Sequence, residues 1–173
     1  DVYKRQMVFG VAFKLSAVPF HTWTPDVYQG APAPVATFLG SVSKVAMLAL
    51  GLRFLLGSVT LMLPAIHALI VVIATLSMIV GNVLALRQNN VKRMLSYSSI
   101  AHIGYVLAIV ASAKIQSVGY ASLYMAVYAF TTIGAFGVIS IMSSPYQLKG
   151  EAEHIDNFRG IFWKRPILTA VLT

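Results

Sequence analysis

Two lysines and a histidine stand inside long apolar stretches: Lys14, Lys44 and His102. A Lys deep in an apolar span is costly and usually faces a wet cavity or a partner. The two lysines lie 30 positions apart, and their midpoint falls at residue 29, beside Gly30. If the flanking segments form an antiparallel hairpin about that turn, both lysines share a depth. Fifteen residues of helix from the turn is roughly 20 Å, beyond the comfortable reach of a snorkelling Lys. The alternative is a shifted helix from which each Lys snorkels to the nearer surface. An ammonium placed near the midplane is held charged only at a cost, which suits a group that takes up and releases a proton along a water chain. His102 is 11 residues into its own apolar segment. At helical rise this is roughly 16 Å, about half of a ~30 Å hydrocarbon core. Tyr97, Ser98, Ser99 and Tyr105 make that stretch polar. His102 is then either a hydrogen-bonded core histidine or a proton relay beside the lysines.

The elements that must carry these residues are membrane spans. Of 173 residues, 58% are hydrophobic and 10% charged, against roughly a quarter charged in soluble domains. Apolar segments run from Met7 to about Tyr28, from about Pro34 to Leu56, from Leu61 to Leu86, from Val91 to Ser112 and from Val118 to Met142. A sixth opens at Pro166. This predicts an all-α, polytopic transmembrane bundle of about five and a half helices. In the first segment, Pro19, His21 and Pro25 predict a non-helical or kinked break between Pro19 and Pro25 that lines a hydrated path. A kink without function is the plainer alternative. Gln29 to Pro34, Gly57-Ser58 and Arg87 to Asn90 read as tight loops, and Ser143 to Arg165 as a longer one with some local structure.

Lys and Arg number 13 against 5 Asp and Glu, a formal charge of +8. The basic residues fall between apolar runs, which indicates membrane orientation rather than nucleic-acid binding. The loops at Arg87, Lys92 and Arg93 and at Lys149, Arg159, Lys164 and Arg165 are placed on the cytoplasmic side, with the Gly30 turn beside them. Arg53 and Lys114 mark the opposite side. Lys92-Arg93 reads most simply as a cytoplasmic anchor; Trp23, Tyr28 and Trp163 read as interfacial rings, and His67 as an interfacial residue near a helix start. With no Cys there is no disulfide and no thiolate metal or cluster site. No phosphate loop or dinucleotide fingerprint is present, so no cofactor or metal site is expected here. The acids Asp1, Asp26, Glu151, Glu153 and Asp156 all lie outside the span centres, so a carboxylate partner for the lysines is expected from another helix. Residues Asp1–Gln6 are polar and are set apart as a non-native end, with residues 7–173 forming the membrane fragment of a longer protein.

One group of proteins shares this pattern. Lys14-Leu15-Ser16, then Val18-Pro19-Phe20-His21, then Trp23-Thr24-Pro25-Asp26-Val27-Tyr28-Gln29-Gly30-Ala31-Pro32-Ala33-Pro34-Val35 and Ser43-Lys44 closely resemble the subunit N family of bacterial NADH-quinone oxidoreductase. So do Gly81-Asn82, Leu84-Ala85-Leu86, Val91-Lys92-Arg93-Met94-Leu95, Tyr97-Ser98-Ser99-Ile100-Ala101-His102, Gly104-Tyr105, Phe158-Arg159-Gly160 and Phe162-Trp163. This is an antiporter-like, Mrp-related family of respiratory complex I. The resemblance implies a fourteen-helix fold with two inverted five-helix repeats, each with a broken helix, of which this chain holds helices seven to eleven and the start of twelve. It implies that Lys14, Lys44 and His102 carry protons, that Lys92 and Tyr97 are secondary motif positions, and that a helix-five glutamate and a helix-twelve lysine lie outside this chain. NADH, FMN, iron–sulfur clusters and quinone are implied in partner subunits, in a bacterial inner membrane. The alternative is an Mrp-type cation/proton antiporter or a membrane-bound hydrogenase subunit, which share the fold.

Overall fold

The computed structural model describes residues 2–56, 64–112, 117–142 and 154–172. These residues form nine α-helices and one 3-10 turn: α1 (Val2–Leu15), α2 (Trp23–Gly30), α3 (Ala33–Gly40), α4 (Val42–Leu56), α5 (Pro64–Leu86), α6 (Val91–Ala111), α7 (Ser117–Met142), the turn Ile155–Phe158, α8 (Ile161–Lys164) and α9 (Pro166–Leu172). Among the described residues, four stretches are long and apolar enough to cross a membrane: Ala33–Phe54, Pro64–Leu86, Val91–Ala111 and Ser117–Met142. Their outward side chains, such as Leu123 and Phe130, are exposed and apolar, as a lipid-facing surface requires. Gly57-Ser58, Leu61, Lys114, Lys149, Glu151 and Glu153 lie outside the described residues.

The first segment is two half-helices. Helix α1 stops at Leu15, and Ser16 adopts a left-handed backbone with φ +64°. Pro19 disfavours helix in the residue before it and lacks an N–H of its own. The break therefore covers residues 16–22, earlier than Pro19–Pro25. Pro25 is the third residue of α2, where its missing N–H has no intrahelical partner to lose. It opens a helix rather than ending one. The broken backbone is satisfied within the protein, as a membrane interior demands. Ala17 N–H donates to Ala12 O at 2.9 Å, and Val18 N–H donates to Ser77 Oγ of α5 at 2.9 Å. Thr24 Oγ1 donates to Ser16 Oγ at 2.5 Å, and Trp23 Nε1 donates to Phe13 O at 3.1 Å. The Trp23 ring also stacks on Phe13, 5.7 Å between centroids. Trp23 thus spans the break. Ser77 is fully buried. Ser77→Ala should leave the Val18 N–H without an acceptor and cost about 1–3 kcal/mol. A thermal-unfolding midpoint in detergent equal to that of the unmodified protein would count against this.

The second segment is interrupted at Ser41, whose backbone (φ −104°, ψ −84°) separates α3 from α4. Gly40, just before it, admits the Tyr28 ring: a Cβ there would stand 3.0 Å from Tyr28 Oη and 3.1 Å from a Thr132 methyl. Helices α5 and α6 approach through glycines on both sides. A Cβ on Gly81 would lie 2.6 Å from the Ala101 nitrogen, and one on Gly104 would lie 2.8 Å from the Met78 nitrogen. Small residues permit such backbone approach between apolar helices. Asn90 caps α6, its Oδ1 accepting from Arg93 N–H at 3.1 Å. At the other end of this pair His67 Nε2 lies 2.9 Å from Ala111 O, at the last carbonyls of α6. Ile155 N–H donates to Asn89 O of the α5–α6 loop at 3.1 Å.

Candidate proton-transfer site

Helix α4 begins at Val42, so Lys44 sits in its first turn, just past the Ser41 interruption. Its side chain is 2% exposed. Nζ donates to Ser99 Oγ of α6. The Tyr28 ring of α2 stands 5.9 Å from Nζ, within range of a cation–π contact. Tyr28 is itself fully buried, edge-on to Phe136 of α7 at 5.8 Å. Its hydroxyl lies against Ser99 without a hydrogen bond of ordinary geometry. The Tyr128 hydroxyl of α7 meets both Ser99 and Thr132. Ser99 is therefore the node at which α2, α4, α6 and α7 converge.

His102 follows one turn later on α6. Its Nδ1 is 2.7 Å from Tyr124 Oη, and its ring lies 5.0 Å from the ring of Tyr128 and 5.8 Å from that of Tyr105. Half-buried, it faces α7, and Ser99 and Tyr128 stand between it and Lys44. Together with Ser98, Thr131, Thr132 and Leu172, His102 lines a cavity of about 240 Å³. A site of that size, lined by a ring nitrogen and hydroxyls, can hold water. The Lys44 amine, the hydroxyls of Ser99, Tyr128 and Tyr124, and the His102 imidazole thus form one polar file running from a buried to a half-buried end, each member able to donate or accept. The described acids stand elsewhere: Asp26 pairs with Arg93 at 2.6 Å and Asp156 with Arg159 at 3.6 Å.

Lys14 does not join this file. It is exposed on the surface of α1. Gly51 of α4 meets Val11 of α1, a Cβ there standing 3.1 Å from the Val11 methyl, so Lys14 is level with about Leu48. Leu48 is four residues from Lys44, roughly 6 Å along the helix. The expectation of one shared depth is corrected: counting from the Gly30 turn assumed helical rise throughout, and residues 16–22 are not helical. His21 stands in the break, half-buried, its Nδ1 buried without a hydrogen-bond partner. Pro19 shapes the break and Pro25 the start of α2. Tyr97 is half-buried beside Arg93.

Lys92 departs furthest from expectation. It is 1% exposed, and Nζ donates to Ala31 O at the end of α2 at 3.0 Å. Arg93 Nη1 reaches Asp26 and, at 3.0 Å, Gln29 of the same short helix. The pair grips α2 instead of standing as a solvated anchor. These contacts do put the Gly30 turn and the 87–93 loop at one end of the bundle. Tyr28, read as interfacial, is core, whereas Trp163 is 86% exposed. Sequence reasoning missed Tyr124 and Tyr128 altogether. A signal existed: Tyr124, Tyr128 and Thr132 recur every fourth residue on an uncharged span, a polar stripe on one helical face.

Residues 3–173 match the family model of the NADH:quinone oxidoreductase/Mrp antiporter transmembrane region. The chain is 60% identical over 167 residues to NADH-quinone oxidoreductase subunit N of Psychrobacter arcticus, covering 96% of this chain and 34% of that protein. Against subunit N of Acinetobacter baumannii it is 53% identical over the same shares. The chain spans about a third of the length of these relatives. Among solved structures, it superposes on respiratory complex I from Thermus thermophilus with a TM-score of 0.75 and 35% identity, over 93% of this chain and 34% of that one. It superposes on the archaeal membrane-bound sulfane sulfur reductase with a TM-score of 0.81 and 27% identity, over 95% of this chain and 33% of that one.

Proposed function

Since the chain belongs to the NADH:quinone oxidoreductase/Mrp antiporter transmembrane family, we propose that it is part of a membrane subunit that moves protons while partner subunits reduce quinone with NADH. The observation that carries this is the polar cluster in which buried Lys44 bonds Ser99, Tyr128 meets Ser99 and packs its ring on that of His102, and His102 bonds Tyr124. A fully buried Lys hydrogen-bonded to a neutral hydroxyl is an expensive arrangement for packing alone. It suits a residue that alternately holds and releases a proton, with Ser99 and Tyr128 on the side toward His102 and the cavity beyond it able to hold the water that completes the path. Lys14, on an exposed face one turn away, would receive its carboxylate partner from a helix outside this chain. NADH, FMN, iron–sulfur clusters and quinone would belong to the partner subunits, and the site would lie in a bacterial inner membrane. The likeness to the sulfane sulfur reductase favours a second reading, in which the same proton path serves a complex with another electron acceptor. The higher identity to subunit N supports the first.

The test uses the full-length protein in its assembled complex, in sealed vesicles. His102→Ala and Lys14→Ala should each slow NADH-driven proton uptake by roughly tenfold or more, the scale of losing a proton-transfer group. NADH oxidation by a soluble acceptor should persist. Lys14→Arg should do no better than Lys14→Ala, because Arg does not release its proton. Uptake at the unmodified rate in both alanine variants would remove the proposal's support.

A further inference from the structure

We propose that Lys92 is a positioning residue for Lys44, acting through the half-helix α2 and its Tyr28. The inference rests on the proton-transfer reading of Lys44. Helix α2 has eight residues, with the break on one side and the turn at Ala31 and Pro32 on the other. An isolated helix shorter than ~12–15 residues is marginal in water, so its place here is set by what holds it. It packs on α6, and α6 supplies the grip. Lys92 donates to Ala31 O, and a cation at a helix C-terminus complements the carbonyl dipoles there. Arg93 takes Asp26 and Gln29. The three gripped residues bracket Tyr28.

The consequence reaches Lys44 because Tyr28 is the contact between α2 and the polar file. Its ring lies beside the Lys44 ammonium, its hydroxyl lies against Ser99, and its edge packs on Phe136. Ser99 lies seven residues, two turns, beyond Lys92 on α6. One rigid helix thus fixes both the hydroxyl that Lys44 bonds and the half-helix that lays a ring beside it. Release at Lys92 lets α2 shift, and the ring moves relative to Ser99 and Lys44. A burial as complete as that of Lys92, a group ordinarily solvated, is accounted for by this task.

The test is a double-mutant cycle in the full-length protein within its complex, read as NADH-driven proton uptake in vesicles. Lys92→Met and Tyr28→Leu should each lower uptake by roughly tenfold or more, the scale on which misplacement of a reacting group acts. The double variant should lose no more than either single one. NADH oxidation by hexacyanoferrate reports assembly, and Lys92→Gln replaces Lys92→Met in the cycle if that variant does not assemble. Multiplied losses in the double variant would show two independent defects and overturn the proposal. So would full uptake in an assembled Lys92 variant. Lys44→Ala is run alongside. If it alone pumps normally, the reading of Lys44 fails, whereas a dead Lys44→Ala with an additive cycle sinks only the role of Lys92.

Discussion

Lys44→Met in the full-length protein should abolish most proton uptake, by roughly tenfold or more, while the complex still assembles. Met keeps nearly the length and volume of the buried stem, so the packing around Tyr28 and Phe136 is spared. What disappears is the ammonium and its hydrogen bond to Ser99. Lys44→Ala should show the same loss with an added packing defect. Lys44→Arg should not restore activity, because a guanidinium keeps its proton. Vesicle uptake driven by NADH, beside hexacyanoferrate reduction as the assembly control, separates these effects. Uptake by Lys44→Met at the unmodified rate would end the case for Lys44 as a proton carrier.

The second large effect is structural. Gly81→Val should prevent α5 and α6 from closing, at about 3 kcal/mol or more. The atoms its Cβ would meet are backbone: the Ala101 nitrogen at 2.6 Å and the Tyr97 oxygen at 2.9 Å. Neither can rotate away as a side chain tip can, so the helices themselves must separate. Ser77 lies one turn from Gly81 and Ser99 close to Ala101, so both the support of the break and the partner of Lys44 are displaced together. Gly137→Ala is the matched control, since a Cβ there meets nothing within 4 Å. It should be neutral or slightly stabilising, as Ala is favoured over Gly in a helix by about 0.5–1 kcal/mol. The two variants are compared by native-gel assembly and thermal unfolding in detergent. Normal assembly of Gly81→Val would refute the close-approach argument.

The spans themselves were legible in the sequence. Hydropathy put the end of one helix at Leu86, the start of the next at Val91 and the end of another at Met142, as the structure does. These boundaries follow from local signals: unbroken apolar length, and a polar loop with Asn90 as cap. The break was legible in kind but displaced, because a proline in the first turn of a helix is tolerated while the residues ahead of Pro19 are not free to be helical. The interruption at Ser41 was passed over because no proline marks it, although Gly40-Ser41 is a Gly/Ser pair of the kind at which helices kink. The depth of Lys14 was misjudged for a reason that lies in the chain between it and the turn. Lys92 and Tyr28 were misplaced because their surroundings come from distant segments: Ala31 and Lys92 are 61 positions apart. Lys44 and His102 stand out in the sequence because a charge or an imidazole in an apolar run is conspicuous by itself. Tyr124 and Tyr128 were passed over because tyrosine is an ordinary membrane residue until its partner is known.

The tie between Trp23 and Phe13 gives the interrupted helix a mechanical character. A hydrogen bond from the indole and a ring stack cross the gap from one half to the other, with the Thr24–Ser16 bond beside them. The joint is therefore braced like an elbow held by a strut: it has an angle but little freedom to swing. With α2 clamped at its far end as well, the two half-helices form one bent beam. Motion at the site would then be carried by hydroxyl rotors and by the Lys44 stem, small parts turning inside a stiff frame.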